Sequence, residues 1–224
     1  METNIIKMIG PADIASLLNA TSGMVAIMAA YYSNTLLTAI FLILAVLFDA
    51  VDGPIARKFP SPTNEVFGET IDSLADVISF GVAPAVILFE IYTSQYMIIA
   101  SILILACGIL RLSRYNTIIT QQTGPTKIFI GLPIPVTSFT LSLFLFSQTR
   151  QELLILILMI TIAILMVSTL EYPKIKDKKI FLISGILLLI TLLYPINNML
   201  CHIPSYLLLL LVIIYIISPI RDVL

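Results

Sequence analysis

A chain of 224 residues with 59% hydrophobic side chains, 11% charged ones and a mean hydropathy of +1.07 has too little polar surface to cover one soluble core. Its formal net charge of −1, without any basic run interleaved with aromatics, argues against a nucleic-acid partner. The class that remains is all-α: a polytopic membrane helix bundle in contact with the lipid bilayer.

In chain order, eight apolar segments are predicted to cross a hydrocarbon core of about 30 Å, near 14–31, 35–57, 67–90, 96–115, 129–147, 152–170, 180–196 and 204–220. The opening METNIIKMIG lacks a basic stretch followed by a short apolar core and cleavage site, so no removed signal peptide is expected. On one side of this arrangement fall Lys7, Arg57, Lys58, Arg111, Arg114, Lys127, Lys174, Lys176, Lys178, Lys179 and Arg221; on the other falls Arg150 alone. The positive-inside bias then puts both termini, and the turn between the second and third spans, in the cytoplasm of a multi-pass cell-membrane protein. The basic loop at 174–179 is expected to anchor on anionic headgroups. Pro54, Pro84, Pro133 and Pro135 interrupt backbone hydrogen bonding, and the last two, following Gly131, predict a kinked or broken entry to the fifth span.

Two cysteines, Cys107 in an apolar segment and Cys201 in a loop, imply no disulfide framework. The single histidine, His202, is expected in the same external loop, away from any cytoplasmic chemistry, so an aspartate has to serve as any base.

The most informative stretch is DAVDGPIARKFPSPTNEVFGETIDSLAD at 49–76. Asp49, Asp52, Gly53 and Ala56 are spaced i, i+3, i+4 and i+7, which puts them on one arc of a helix. Gly68, Asp72, Asp76 and Ser79 make a similar stripe on the next, and two antiparallel neighbours could face four carboxylates into one pocket. Each charge costs roughly 2.5–3.5 kcal/mol at a bilayer centre, so the group requires compensation. Hard divalent cations such as Mg²⁺ prefer oxygen ligands of this kind, and phosphoryl transfer is the chemistry they suit. Taken as bare acids, the same residues suit a structural network with Arg57, Lys58 or Arg111, or an ion path for a cation transporter. The small residues on the stripes are required by neither.

The eight positions Asp49, Asp52, Gly53, Ala56, Arg57, Gly68, Asp72 and Asp76 fill D-x-x-D-G-x-x-A-R followed by G-x-x-x-D-x-x-x-D, and so resemble the signature of the CDP-alcohol phosphotransferases. One departure is the ten-residue spacer between Arg57 and Gly68, with Pro60 and Pro62, which is longer than usual. SFGVAPA at 79–85, RLSRYN at 111–116, GLPIP at 131–135, and Asn19 and Gly23 within LLNATSG resemble the phosphatidylserine synthase branch. The resemblance covers about 13–147. The chain therefore reads as one integral-membrane domain, 1–224, with a family core at 1–147 and additional membrane helices at 148–224.

That resemblance implies that Asp49, Asp52, Asp72 and Asp76 bind divalent metal, Mg²⁺ or Mn²⁺ and two ions, with Asp76 also acting as base. It implies that Gly53, Ala56, Arg57 and Gly68 accommodate the CDP group of a CDP-lipid. The implied reaction is attack of an L-serine hydroxyl on the lipid-linked phosphorus with release of CMP, inositol phosphate or glycerol phosphate being the alternative acceptors. Arg111, Arg114 and Lys127 are candidates for the acceptor carboxylate or the lipid phosphate, Arg offering two-pronged capture. A homodimer is a further implication of the resemblance.

Overall fold

The computed structural model describes residues 4–59, 65–92, 94–121, 128–147, 151–173, 178–193 and 198–219. After a short helix α1 (Ile5–Met8), α2 (Pro11–Tyr31) opens with proline in its first turn, and the Asp13 carboxylate accepts the Gly10 N–H at 2.7 Å. A three-residue connection, with Ser33 in the left-handed region, returns the chain as α3 (Thr35–Lys58), whose N-terminus is capped by the Asn34 side chain on the Leu37 N–H at 3.0 Å. The hairpin closes tightly because alanines Ala26, Ala29, Ala30, Ala39 and Ala45 line its buried face, the small-residue packing expected where lipid supplies no hydrophobic drive between helices.

The third apolar stretch is three elements in one: α4 (Glu65–Asp76), a π-turn (Val77–Val82) and α5 (Ala83–Tyr92). It is followed by α6 (Gln95–Gln121). Pro11–Tyr31, Thr35–Lys58, Val66–Tyr92 and Gln95–Ile118 are long and apolar enough to cross a membrane, and shorter apolar helices follow. These are the marks of a multi-pass membrane protein.

The expected fifth span starts differently. Residues Ile128–Ile130 form β1, paired antiparallel with β2 (Glu171–Pro173) in the register Phe129 opposite Tyr172, so the described residues include a two-stranded sheet that an all-α reading omits. Gly131 then takes φ +77°, a left-handed conformation in which a side chain would also strike the Met166 carbonyl and the Arg114 guanidinium. Leu132 and Ile134 each precede a proline, which disfavours helical geometry, and helix α7 (Pro135–Ser147) starts only where proline can occupy the first position. The predicted break after Gly131 is therefore present.

Helix α7 packs on α3, α10 and the π-turn, and Thr137, Ser138 and every residue from Thr140 to Ser147 are buried. Helix α8 (Glu152–Val167) lies against α6, and α9 (Lys178–Leu192) against α10 (Asn198–Ile217). Cys201 and His202, expected in a loop, belong to the opening turns of α10; Pro204 sits inside that helix, at its seventh residue, where it leaves the Leu200 carbonyl without its usual donor four residues on.

Candidate functional site

The acidic signature becomes a pocket through α2. That helix lies along α3 and also packs against α4 and the π-turn, so it holds the two acid-bearing helices at one place. One carboxylate oxygen each from Asp49, Asp52 and Asp72 lies within 4.8 Å of the others. The Asp76 carboxyl is within hydrogen-bonding reach of Asp49, and that of Asp72 within reach of Asp52, so all four aspartates meet.

Helix α2 also supplies donors. Ser16 Oγ donates to Asp52 Oδ2 at 3.1 Å, and Asn19 Nδ2 donates to Asp76 Oδ1 at 3.2 Å in a buried contact. Ser16 had no place in the sequence reading and Asn19 entered only by resemblance. The signal that could have found them is the stripe Asp13, Ser16, Asn19 and Gly23, polar or small at helical spacing in an otherwise apolar segment.

The donor set fits a hard divalent cation. It is composed of oxygen alone, and Asp72 Oδ1 is buried without a hydrogen-bond partner among the described residues, an expensive state that a coordinated cation relieves. No His or Cys joins the described acidic group, so it is not a zinc-type site.

The small residues divide by role. A Cβ on Gly53 would meet nothing nearer than Arg57 Nη1 at 3.6 Å, and Ala56 and Arg57 are exposed, so this flank of α3 is open to a ligand. A Cβ on Gly68 would come within 3.1 Å of Asp13 Oδ1, so there the missing side chain serves the approach of α2 to α4.

The basic candidates separate as well. Arg111 is 6% exposed, its guanidinium lies 5.2 Å from the Tyr115 ring and 6.0 Å from that of Phe129, and its Nε has no hydrogen-bond partner among the described residues. Its charge acts on both Asp76 and Asp49. Arg114 is committed elsewhere: Nη1 donates to the carbonyls of Val167 and Ser168 at 3.2 and 2.9 Å, and Nη2 to those of Ile130 and Met166, both at 2.9 Å. It closes the C-terminal end of α8 and ties it to β1. Lys127, Pro60 and Pro62 lie outside the described residues. Asn116 Nδ2 donates to Ser73 Oγ at 2.9 Å and fastens α6 to α4 beside the pocket.

Residues 11–170 match the CDP-alcohol phosphatidyltransferase family model, a region that runs from the start of α2 through α8. The chain is 38% identical over 176 residues to an archaetidylserine synthase of Methanothermobacter thermautotrophicus, covering 78% of this chain and 74% of that one. It is 35% identical over 175 residues to a CDP-diacylglycerol–serine O-phosphatidyltransferase of Methanocaldococcus jannaschii, covering 78% and 79%. A Bacillus subtilis protein of the same name shares 35% over 126 residues, 55% of this chain and 68% of its own. With the family match spanning most of the sequence and the two archaeal relatives each covering 78% of it, the chain belongs to the CDP-alcohol phosphatidyltransferase family.

Proposed function

We propose that the protein transfers a phosphatidyl-type group from a CDP-lipid to the hydroxyl of L-serine, releasing CMP. The observation that carries this reading is the convergence of Asp49, Asp52, Asp72 and Asp76 beside the open flank of α3, in a chain whose similar proteins are named for serine transfer.

Asp49, Asp52 and Asp72 are the residues to hold divalent metal, Mg²⁺ or Mn²⁺, with Asp76 completing the group. A bound divalent ion of this kind neutralises diphosphate charge and polarises the phosphorus under attack. Gly53 and Ala56 leave the space along which the nucleotide lies, with Arg57 beside it. The serine hydroxyl gives its proton to the Asp76 carboxylate while its oxygen forms the new bond to phosphorus; the bond between that phosphorus and the CMP oxygen breaks, and CMP leaves. Arg111, stacked on Tyr115, presents its guanidinium to the serine carboxylate.

The pocket faces the cytoplasm by the positive-inside bias of Lys58, Arg111 and the other cations, and eight apolar segments, the fifth including the extended stretch before α7, make eight crossings with both termini inside. Residues 1–147 carry the catalytic core, 148–224 add further helices, and two copies associate.

Purified protein incubated with CDP-lipid and serine, inositol phosphate or glycerol phosphate, with and without Mg²⁺ or Mn²⁺, tests this by CMP release. Metal-dependent release with serine alone is expected. Release only with a phosphorylated alcohol sinks the serine reading, and cation flux into vesicles without CMP release favours a transporter.

A further inference from the structure

Pro84, just past the π-turn that follows Asp76, takes one backbone donor away from the pair of buried carbonyls at Ser79 and Phe80. Ala83 N–H reaches the carbonyl of Ile78, five residues back, as a π-helix requires. The next residue, Pro84, has no N–H, so it serves neither Ser79, five residues behind it, nor Phe80, four behind. Both carbonyls are served from another helix. Ser138 Oγ donates to the Ser79 carbonyl at 2.5 Å, and Thr137 Oγ1 lies 2.6 Å from that of Phe80 and 2.8 Å from that of Ile134, between which its one proton is shared. Ser79, Thr137 and Ser138 are fully buried, so water does not replace these donors.

The same turn is gripped from its other side. Ser79 Oγ donates to the Asn19 carbonyl at 2.8 Å, and a Cβ on Gly23 would stand 2.8 Å from the Ser79 Cα. Asn19 is the residue whose amide holds Asp76. Ser79 is thus clamped between α2 and α7, and three residues upstream of it Asp76 enters the acidic pocket.

We infer that Thr137 and Ser138 are positioning residues for the acidic pocket: their hydroxyls stand in for the N–H that Pro84 lacks and thereby hold the π-turn in the register that presents Asp76 to Asp49. This rests on the transfer reading above for its catalytic consequence, but not for its effect on metal binding.

The test uses full-length protein in detergent, with Mn²⁺ binding followed by electron paramagnetic resonance and CMP release followed separately. Thr137→Val and Ser138→Ala should each weaken Mn²⁺ binding and lower kcat by roughly tenfold, leaving KM for serine and CDP-lipid within about twofold. Thr137→Ser, which keeps the hydroxyl, should behave as the unaltered protein. Adding Pro84→Ala to either single variant supplies an N–H within reach of one of the two carbonyls and should recover most of the loss. If Thr137→Val does not fold, Ser138→Ala with and without Pro84→Ala carries the same comparison. Mn²⁺ affinity unchanged in both single variants overturns the inference, as does a raised KM for either substrate that Pro84→Ala fails to lower, which assigns the hydroxyls to substrate instead. If the unaltered protein binds Mn²⁺ but releases no CMP with serine, the serine reading fails while the Mn²⁺ comparison still decides the positioning role.

Discussion

The amide of Asn19 donates to the carboxylate of Asp76 across the interface between α2 and α4, at 3.2 Å and out of reach of solvent. Replacing it by leucine removes the one side-chain donor that this carboxylate has, among the described residues, from outside the acidic group. A hydrogen bond to a charged group is worth about 1.5–3 kcal/mol, so Asn19→Leu should lower kcat for CMP release by roughly ten- to a hundredfold. Asn19→Asp, which adds a fifth negative charge, should be worse in the absence of added Mg²⁺ and improve as Mg²⁺ is raised. Equal rates for Asn19→Leu and the unaltered protein would separate Asp76 from the chemistry.

Asp49→Asn, Asp52→Asn and Asp72→Asn each remove charge from the cluster without changing side-chain size. All three should abolish CMP release and weaken Mn²⁺ binding while the protein elutes unchanged from a sizing column. Asp76→Asn should retain more of the Mn²⁺ affinity yet lose roughly 10²–10⁴-fold in kcat, the usual contribution of a positioned base. Full turnover after treatment with a chelator would sink the metal assignment for all four.

The open flank of α3 predicts a split between glycines. Gly53→Leu and Ala56→Leu leave a good helix former in the span and should reduce binding of a CDP-lipid with Mn²⁺ affinity largely kept. Gly68→Ala instead presses on Asp13, so its first effect should be on thermal stability. Isothermal titration with a CDP-lipid beside a melting curve distinguishes the two outcomes, and unchanged nucleotide affinity in both leucine variants would return Gly53 and Ala56 to helix packing.

Arg111 and Arg114 stand one helical turn apart on α6 and should answer differently to lysine. An ammonium cannot reproduce a planar two-pronged contact, so Arg111→Lys should raise KM for serine several-fold with little change for CDP-lipid. Arg114→Lys forfeits carbonyl bonds at the end of α8 and should lower the melting temperature, with about 1.5–3 kcal/mol lost for each charged hydrogen bond not remade, and with no selective effect on serine. A serine-specific defect in Arg114→Lys would reverse the assignment.

The four aspartates were legible in the sequence because helical spacing is local: once α3 and α4 form, Asp49 with Asp52 and Asp72 with Asp76 already share faces. The family signature then supplied roles that spacing alone left open between metal, ion pairing and transport. Ser16, Thr137 and Ser138 were not legible, since each acts on a residue 36 to 59 positions away and a lone hydroxyl in an apolar helix ordinarily bonds back to its own turn. The π-turn was hidden for the same reason, its stability depending on donors from another helix. The carbonyl bonds of Arg114 were not legible for a related one: positive charge near a membrane face looks alike whether it awaits an anion or caps a helix. His202 looked like a loop residue because Pro204 reads as a helix start, whereas α10 begins six residues earlier.

The enclosure of α7 has a consequence for how the protein is made. At about 1.5 Å per residue its thirteen residues reach only about 20 Å, well short of a bilayer's hydrocarbon thickness, and five of them carry hydroxyls. Such a segment gains little from lipid until α3 and α10 flank it, and α10 is synthesised after it. A nascent chain released at Ser147 would possess every aspartate of the pocket and both hydroxyls beneath it, yet lack the wall that keeps those hydroxyls in place. The acidic signature therefore does not suffice by itself: the wall that α10 lends to α7 belongs to the same structural unit as the pocket.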